Sequence, residues 1–195
     1  MKLYLASNNK HKYQEFCEGL FGVDLSLPCD EGIQSSPEEN GTSFFENAMI
    51  KAKALYDIVH SPVIADDSGL CVDALDGRPG IFSARYATAP ANETIQDYGI
   101  NRLLKEVEGK EDRGATFVCT LVLYMEENRF FVVQETCKGE ISKCKKGEGG
   151  FGYDPIFFLK DLNKTMAELT RLEKNRISHR GKAIRACNAL LKQIL

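Results

Sequence analysis

Tryptophan is absent from this chain, histidine occurs three times, and no C-x-x-C pair is present. His11, His60 and His179 are too dispersed to suggest a metal cluster. The seven cysteines (Cys17, Cys29, Cys71, Cys119, Cys137, Cys144, Cys187) are odd in number and lack paired spacing. That argues against a disulfide framework or a zinc site, fits a reducing cytoplasm, and makes most of them small core residues. No apolar run approaches the roughly 18 residues of a membrane span, so no membrane partner is expected. The first six residues are too short for a secretory signal and read as a strand. Positive charge is not in excess either. With a net charge of -3, a nucleic-acid backbone is not the expected partner. A single nucleotide, which needs only a local basic cluster, stays open.

What is present suits one sizeable core. At 195 residues and 43% apolar content, a single domain over residues 1–195 is expected. Strand-like segments run over Lys2–Ala6, Pro62–Ala65, Leu70–Ala74, Thr116–Met125, Arg129–Glu135 and Lys138–Ser142. The Glu126-Glu127-Asn128 break makes a hairpin of the two long ones. Helical periodicity follows Ser7-Asn8-Asn9, with Tyr13, Phe16, Cys17 and Leu20 on one face. Ser43-Phe44-Phe45-Glu46 has the form of a capping box opening a helix to about Val59. Further helices are expected over about Thr94–Val107 and from about Ser178, the last with Ala183, Ala186, Leu190 and Ile194 along one side. The class is α/β with a central mixed sheet flanked by helices.

Five stretches could carry chemistry. In Ile64-Ala65-Asp66-Asp67-Ser68-Gly69 an apolar run ends on two adjacent acids and a turn-like Ser-Gly. Neighbouring carboxylates at the end of a buried strand need a cation, a proton or a basic side chain, and oxygen ligands suit Mg2+. A solvated acidic turn is the plainer alternative. Ser7-Asn8-Asn9-Lys10-His11-Lys12 lies between a strand and a helix start, where free N–H groups, the helix dipole and two lysines would suit a triphosphate. An ordinary capped helix would look the same. Glu39 before the second helix and Lys51 on it join the acids only if the fold brings them to Asp67. Gly147-Glu148-Gly149-Gly150-Phe151-Gly152-Tyr153-Asp154-Pro155 combines close backbone approach with rings able to stack on a base, although a flexible turn shares the composition. Ser178-His179-Arg180 offers donors to a base carbonyl, or simply starts a helix. Together these describe a nucleoside triphosphate site.

The ordered set of motifs resembles the inosine triphosphatase family, pyrophosphatases of non-standard purine nucleoside triphosphates, over essentially the full length. The carriers are Ala6-Ser7-Asn8-Asn9 with Lys12, Glu39-Asn40-Gly41, Ser43-Phe44, Glu46-Asn47-Ala48, Lys51 and Ile64 to Leu70. Pro79-Gly80-Ile81, Ser83-Ala84-Arg85-Tyr86, Gly149 to Phe157, Ala167 to Thr170 and Ile177 to Gly181 follow in order. One departure is Ser7-Asn8-Asn9 where many members carry Thr-Gly-Asn; Ser keeps the hydroxyl and Asn tolerates left-handed backbone. The resemblance implies an elongated sheet, two lobes around an active-site cleft, a homodimer, and Mg2+-dependent hydrolysis of ITP, dITP and XTP to monophosphate and pyrophosphate. Carried over residue by residue, it implies that Ser7, Asn8, Asn9, Lys10, His11 and Lys12 hold the phosphates. Asp67 accepts a proton and binds metal, Glu39 and Asp66 help hold Mg2+, and Lys51 neutralises phosphate charge. Ser68, Phe151, Gly152, Tyr153, Asp154, Lys174, His179 and Arg180 bind the nucleotide, with the last two near the base. A pyrimidine-directed pyrophosphatase and a binding module without catalysis are the alternatives.

Overall fold

A computed structural model describes residues 1–86 and 94–195, with the Ile95 side chain left out. Seven strands form one mixed sheet: β1 (Lys2–Ala6), β2 (Asp24–Ser26), β3 (Val63–Val72), β4 (Gly114–Glu126), β5 (Arg129–Ile141), β6 (Phe157–Leu159) and β7 (Lys164–Thr165), in the order β2-β1-β3-β4-β5-β6-β7. β1 pairs in parallel with β2 and β3, whereas β6 runs antiparallel to β5 and β7. The helices are α1 (Lys10–Gly19), α2 (Phe44–Val59), α3 (Ile95–Glu106), α4 (Arg171–Ile177) and α5 (His179–Ile194).

The chain resolves into two compact units. The first holds Met1–Asp67, Cys119–Glu135 and His179–Leu195; the second holds Ser68–Val118 and Thr136–Ser178. In the first unit, one core packs Leu3, Leu5, Phe16, Ile64, Leu121 and Leu123 against Ala183, Ile184, Cys187 and Leu191 of α5. A second core there sets Tyr4, Val63, Ala65, Val122 and Tyr124 against Ala48, Ala52 and Leu55 of α2. Alternate residues of β1 and β3 thus serve opposite sheet faces, as the two-residue strand period requires. The second unit has its own core, built on Leu70, Val72, Ile100, Leu103, Phe117, Ile156 and Phe157.

Local signals account for the helix ends. Asn9 caps α1, accepting from the amides of His11 (2.9 Å) and Lys12 (3.2 Å). Ser43 caps α2 through the Glu46 amide at 3.1 Å. Asn128 takes φ +61° in the two-residue turn between β4 and β5, a conformation Asn tolerates. Three expectations are corrected. The acidic stretch is not a turn, because β3 continues through Asp66–Gly69 and joins the two predicted segments. β5 likewise runs unbroken from Arg129 to Ile141. The buried stripe of α5 is Ala183, Ile184, Cys187 and Leu191, with the predicted Leu190 and Ile194 packed beside it and partly buried, so the apolar face is wider than predicted. The separate helix α4 was not expected.

Candidate active site

The parallel pairing of β1 with β3 sets Ala6 opposite Ala65, so β1 ends and leads into α1 beside the point where β3 carries its two acids in mid-strand. Open parallel sheets present their ligand sites at such strand ends. Asp66 is fully buried, and cations account for it. Arg180 Nε meets its Oδ2 at 2.7 Å, Lys12 Nζ pairs with its Oδ1, and the Cys119 thiol lies 3.4 Å from Oδ2. Burial alone would push the Asp66 carboxyl up, but the Arg180 and Lys12 charges outweigh it and hold the group well below the usual carboxylate range. The same Arg180 gives its other arm to Glu15 Oε2 at 2.7 Å. Arg180 is only 2% exposed, so its guanidinium is committed to two carboxylates of its own unit.

Asp67 has the opposite character. Lys51 Nζ reaches its Oδ1 at 2.7 Å, and Glu39 Oε2 lies 3.5 Å from the same amine. Oδ2 of Asp67 is buried without a hydrogen-bond partner among the described residues. Burial pushes its carboxyl up despite the pull of Lys51. The fold has therefore brought together Glu39, Lys51 and Asp67, which sequence spacing alone left apart. An orphaned carboxylate oxygen with a second acid nearby fits a hard divalent cation. Among the described residues no group of three or more His, Cys, Asp or Glu is placed as a full ligand set. Two protein carboxylates, completed by substrate phosphate and water, are the ordinary provision for Mg2+. Since both oxygens of Asp66 are engaged by cations, the pair suited to a metal is Glu39 and Asp67.

Ser7 to Lys12 surround the start of α1, whose first turn contains no acid. Asn8, Asn9, Lys10 and His11 are exposed there, and the Ser7 hydroxyl accepts from the Asn9 amide at 3.2 Å. Asn8 does not use left-handed backbone; among non-glycine described residues that conformation falls at His60, Asp76, Asn128 and Asn163. His179 opens α5 and is buried.

The second unit carries a separate cluster. Asp154 Oδ2 accepts from Lys174 Nζ at 2.6 Å and from the Phe151 amide at 2.8 Å, while Lys174 sits 4.6 Å from the Phe151 ring centre. Gln96 Oε1 takes the Gly152 amide at 3.0 Å. The Tyr153 hydroxyl donates to the Ser83 carbonyl at 3.1 Å. Tyr153 belongs to the apolar core, which leaves Phe151 as the partly exposed ring of the loop. Ser68 is half-buried on β3. Gly150 is required here: it has φ +70°, and a Cβ would collide with Asp154 Oδ2. Gly150→Ala is expected to cost about 1–3 kcal/mol, read by urea unfolding; an unchanged midpoint would show that the Asp154 clamp yields freely.

Sequence reading missed Glu15, Cys119, Gln96 and Ser83. Glu15 was findable, since it stands three residues after Lys12 on one helix face. Ser83 lies in a motif that carries the resemblance but had no role attached to it, and Cys119 and Gln96 are brought in by tertiary pairing with no local signal.

Residues 3–190 match the model of the Ham1 family. The chain belongs to that family. It is 55% identical to the dITP/XTP pyrophosphatase of Treponema denticola over 98% of this chain and 99% of that one. It is 45% identical to the dITP/XTP pyrophosphatase of Geobacillus kaustophilus over 94% and 90%. The solved Staphylococcus aureus Ham1 protein matches with a TM-score of 0.90 at 39% identity, covering all of both chains. The resemblance to the inosine triphosphatase family, and the mixed α/β fold it implied, are thereby established for this Ham1 chain.

Proposed function

We propose that this chain hydrolyses ITP, dITP and XTP to the nucleoside monophosphate and pyrophosphate, removing non-standard purines from the nucleotide pool. The observation that carries the reading is the Glu39–Lys51–Asp67 cluster, with its orphaned buried carboxylate oxygen, in a chain related to dITP/XTP pyrophosphatases. Water attacks the α-phosphorus, the bond from that phosphorus to the bridging oxygen breaks, and pyrophosphate leaves. Asp67 orients the water and accepts its proton, a task suited to a carboxylate whose pKa burial has raised. Lys51 holds Asp67 in place and lends positive charge to the phosphates. Ser7, Asn8, Asn9, Lys10, His11 and Lys12 bind the phosphate chain at the helix start, where a phosphate oxygen competes with the Asn9 cap. Glu39 and Asp67 hold Mg2+, which when bound supplies Lewis-acid charge to the phosphate oxygens.

Ser68, Phe151, Gly152, Tyr153, Asp154 and Lys174 are proposed nucleotide contacts, with Phe151 as the stacking ring and Asp154, Tyr153 and Gly152 fixing its loop. His179 is kept as a nucleotide contact. Arg180 takes a structural share in the proposal, as the counter-ion that keeps Asp66 and Lys12 in register. The enzyme is proposed to act as a cytoplasmic homodimer within a single functional domain of residues 1–195. Free thiols at all seven cysteines support a reducing compartment. Among the described residues no helix is long and apolar enough to cross a membrane.

The test is a parallel assay of ITP, dITP, XTP, GTP, ATP and dTTP with Mg2+, scoring pyrophosphate and orthophosphate. Pyrophosphate from the inosine and xanthosine nucleotides alone is the expected outcome. Orthophosphate would move the attack to the γ-phosphorus, and turnover of dTTP would make the enzyme pyrimidine-directed.

A further inference from the structure

Asn47 on α2 is fully buried, yet it is a polar side chain in a helix interior otherwise given to Ala48, Ala52 and Leu55. Its Oδ1 accepts the Gly41 amide at 2.9 Å. The loop is pressed against the helix so closely that a Cβ on Gly41 would meet Asn47 Oδ1 at 2.8 Å and Glu46 Cβ at 2.7 Å. Gly41 follows Glu39 by two residues, and Lys51, which touches Glu39, lies one helical turn beyond Asn47 on the same face of α2. Helix and loop therefore meet at two points in tandem, Asn47 with Gly41 and Lys51 with Glu39.

We infer that Asn47 is a positioning residue that sets the Glu39 carboxylate beside Lys51 and Asp67, and thereby sets the affinity of this chain for its divalent cation. The inference rests on the metal reading proposed above. The physical case is one of hydrogen-bond economy. Burying an amide side chain costs free energy unless it is well partnered, and Nδ2 of Asn47 has no partner among the described residues. An apolar side chain would suit the helix better, so what Asn47 contributes is its single strong contact to the loop. Glu46 reinforces the loop from the preceding position, taking the Thr42 amide at 2.5 Å and its hydroxyl at 2.9 Å. With the loop so fixed, the Glu39 carboxylate meets a metal without first losing backbone freedom, as outer-shell partners do for ligating carboxylates.

Two variants approach the contact from opposite sides: Asn47→Ala removes the acceptor, and Gly41→Ala forces the loop off the helix. Mn2+ alone is titrated into the apoprotein and free Mn2+ followed by electron paramagnetic resonance, with thermal melts on the same samples. Both variants are expected to bind Mn2+ about tenfold more weakly. In turnover, the Mg2+ concentration for half-maximal rate rises in step, and excess Mg2+ recovers most of kcat. A merely structural role would instead lower kcat at every Mg2+ concentration, and that result overturns the inference. Gly41→Ala carries the test if Asn47→Ala fails to fold. Mn2+ affinity within twofold of the parent in the folded variants overturns the inference alone. Absence of Mn2+ binding by the parent chain overturns it together with the metal reading.

Discussion

Asp67→Asn is expected to abolish turnover while leaving the protein at least as stable as the parent. The substitution keeps the shape of the side chain and removes both its charge and its capacity to accept a proton. General-base catalysis contributes about 10²–10⁴-fold, so kcat should fall by at least about a hundredfold on that ground alone. Stability moves the other way for a reason visible in the structure. Burial raises the Asp67 carboxyl above its ordinary range, so the folded state binds the proton more tightly than the unfolded chain. Ionising Asp67 above that raised pKa therefore costs folding free energy at neutral pH. Asparagine carries no such cost, and Lys51 keeps Glu39 as a partner at 3.5 Å. Urea midpoints at pH 7 without added metal, set beside pyrophosphate release with saturating Mg2+, decide the matter. Loss of both activity and stability would make Asp67 a structural acid, and retained activity would remove it from the chemistry.

Much of the fold was legible because its signals are local. The entry to α1 was readable from Ser7-Asn8-Asn9, and the entry to α2 from Ser43, because capping chemistry acts within a few residues. β1, β4 and the β4–β5 turn were readable from apolar runs and an Asn-bearing break. The continuity of β3 was not. Asp66 and Asp67 look like strand breakers in isolation, and they are tolerated mid-strand only because Arg180, 114 residues later, and Lys12 bring positive charge to Asp66. The site divides along the same line. The residue types were readable from motifs, but the difference between two adjacent acids was not. One is paired with cations and held ionised, and the other keeps an unpartnered oxygen and a raised pKa; each depends on partners remote in sequence. Sequence reads Arg180 as a donor near the base; the structure buries its guanidinium and commits it to ion pairs with Asp66 and Glu15, partners that no local signal named.

That commitment makes Arg180→Ala the most damaging single substitution expected for stability. Removing one partner of a buried ion pair typically costs about 3–5 kcal/mol, because the other charge stays buried without its counter-ion. Here Asp66 would keep Lys12 of α1 and the Cys119 thiol but lose its ion pair to α5, and Glu15 of α1 would lose the same partner. The pH dependence follows from the sign of the shift. The depressed carboxyl of Asp66 contributes stability above about 3.9, the ordinary Asp value, and loses it as the pH falls through the lower folded pKa. In Arg180→Ala burial is less opposed, so the folded pKa climbs and that contribution shrinks at pH 5 to 7. Urea midpoints recorded in chelator from pH 3 to 7 should show a lower plateau for the variant and a smaller drop on acidification. Arg180→Lys should recover part of the plateau, since it restores charge but not the fork that reaches Asp66 and Glu15 together. Glu15→Gln should lower it less than Arg180→Ala, because Arg180 keeps Asp66. The activity readout separates this role from base reading. If Arg180 organises its unit, the residual turnover of Arg180→Ala falls by the same factor for ITP and for ATP. A fall confined to ITP, with an unmoved urea midpoint, would return Arg180 to the edge of the base.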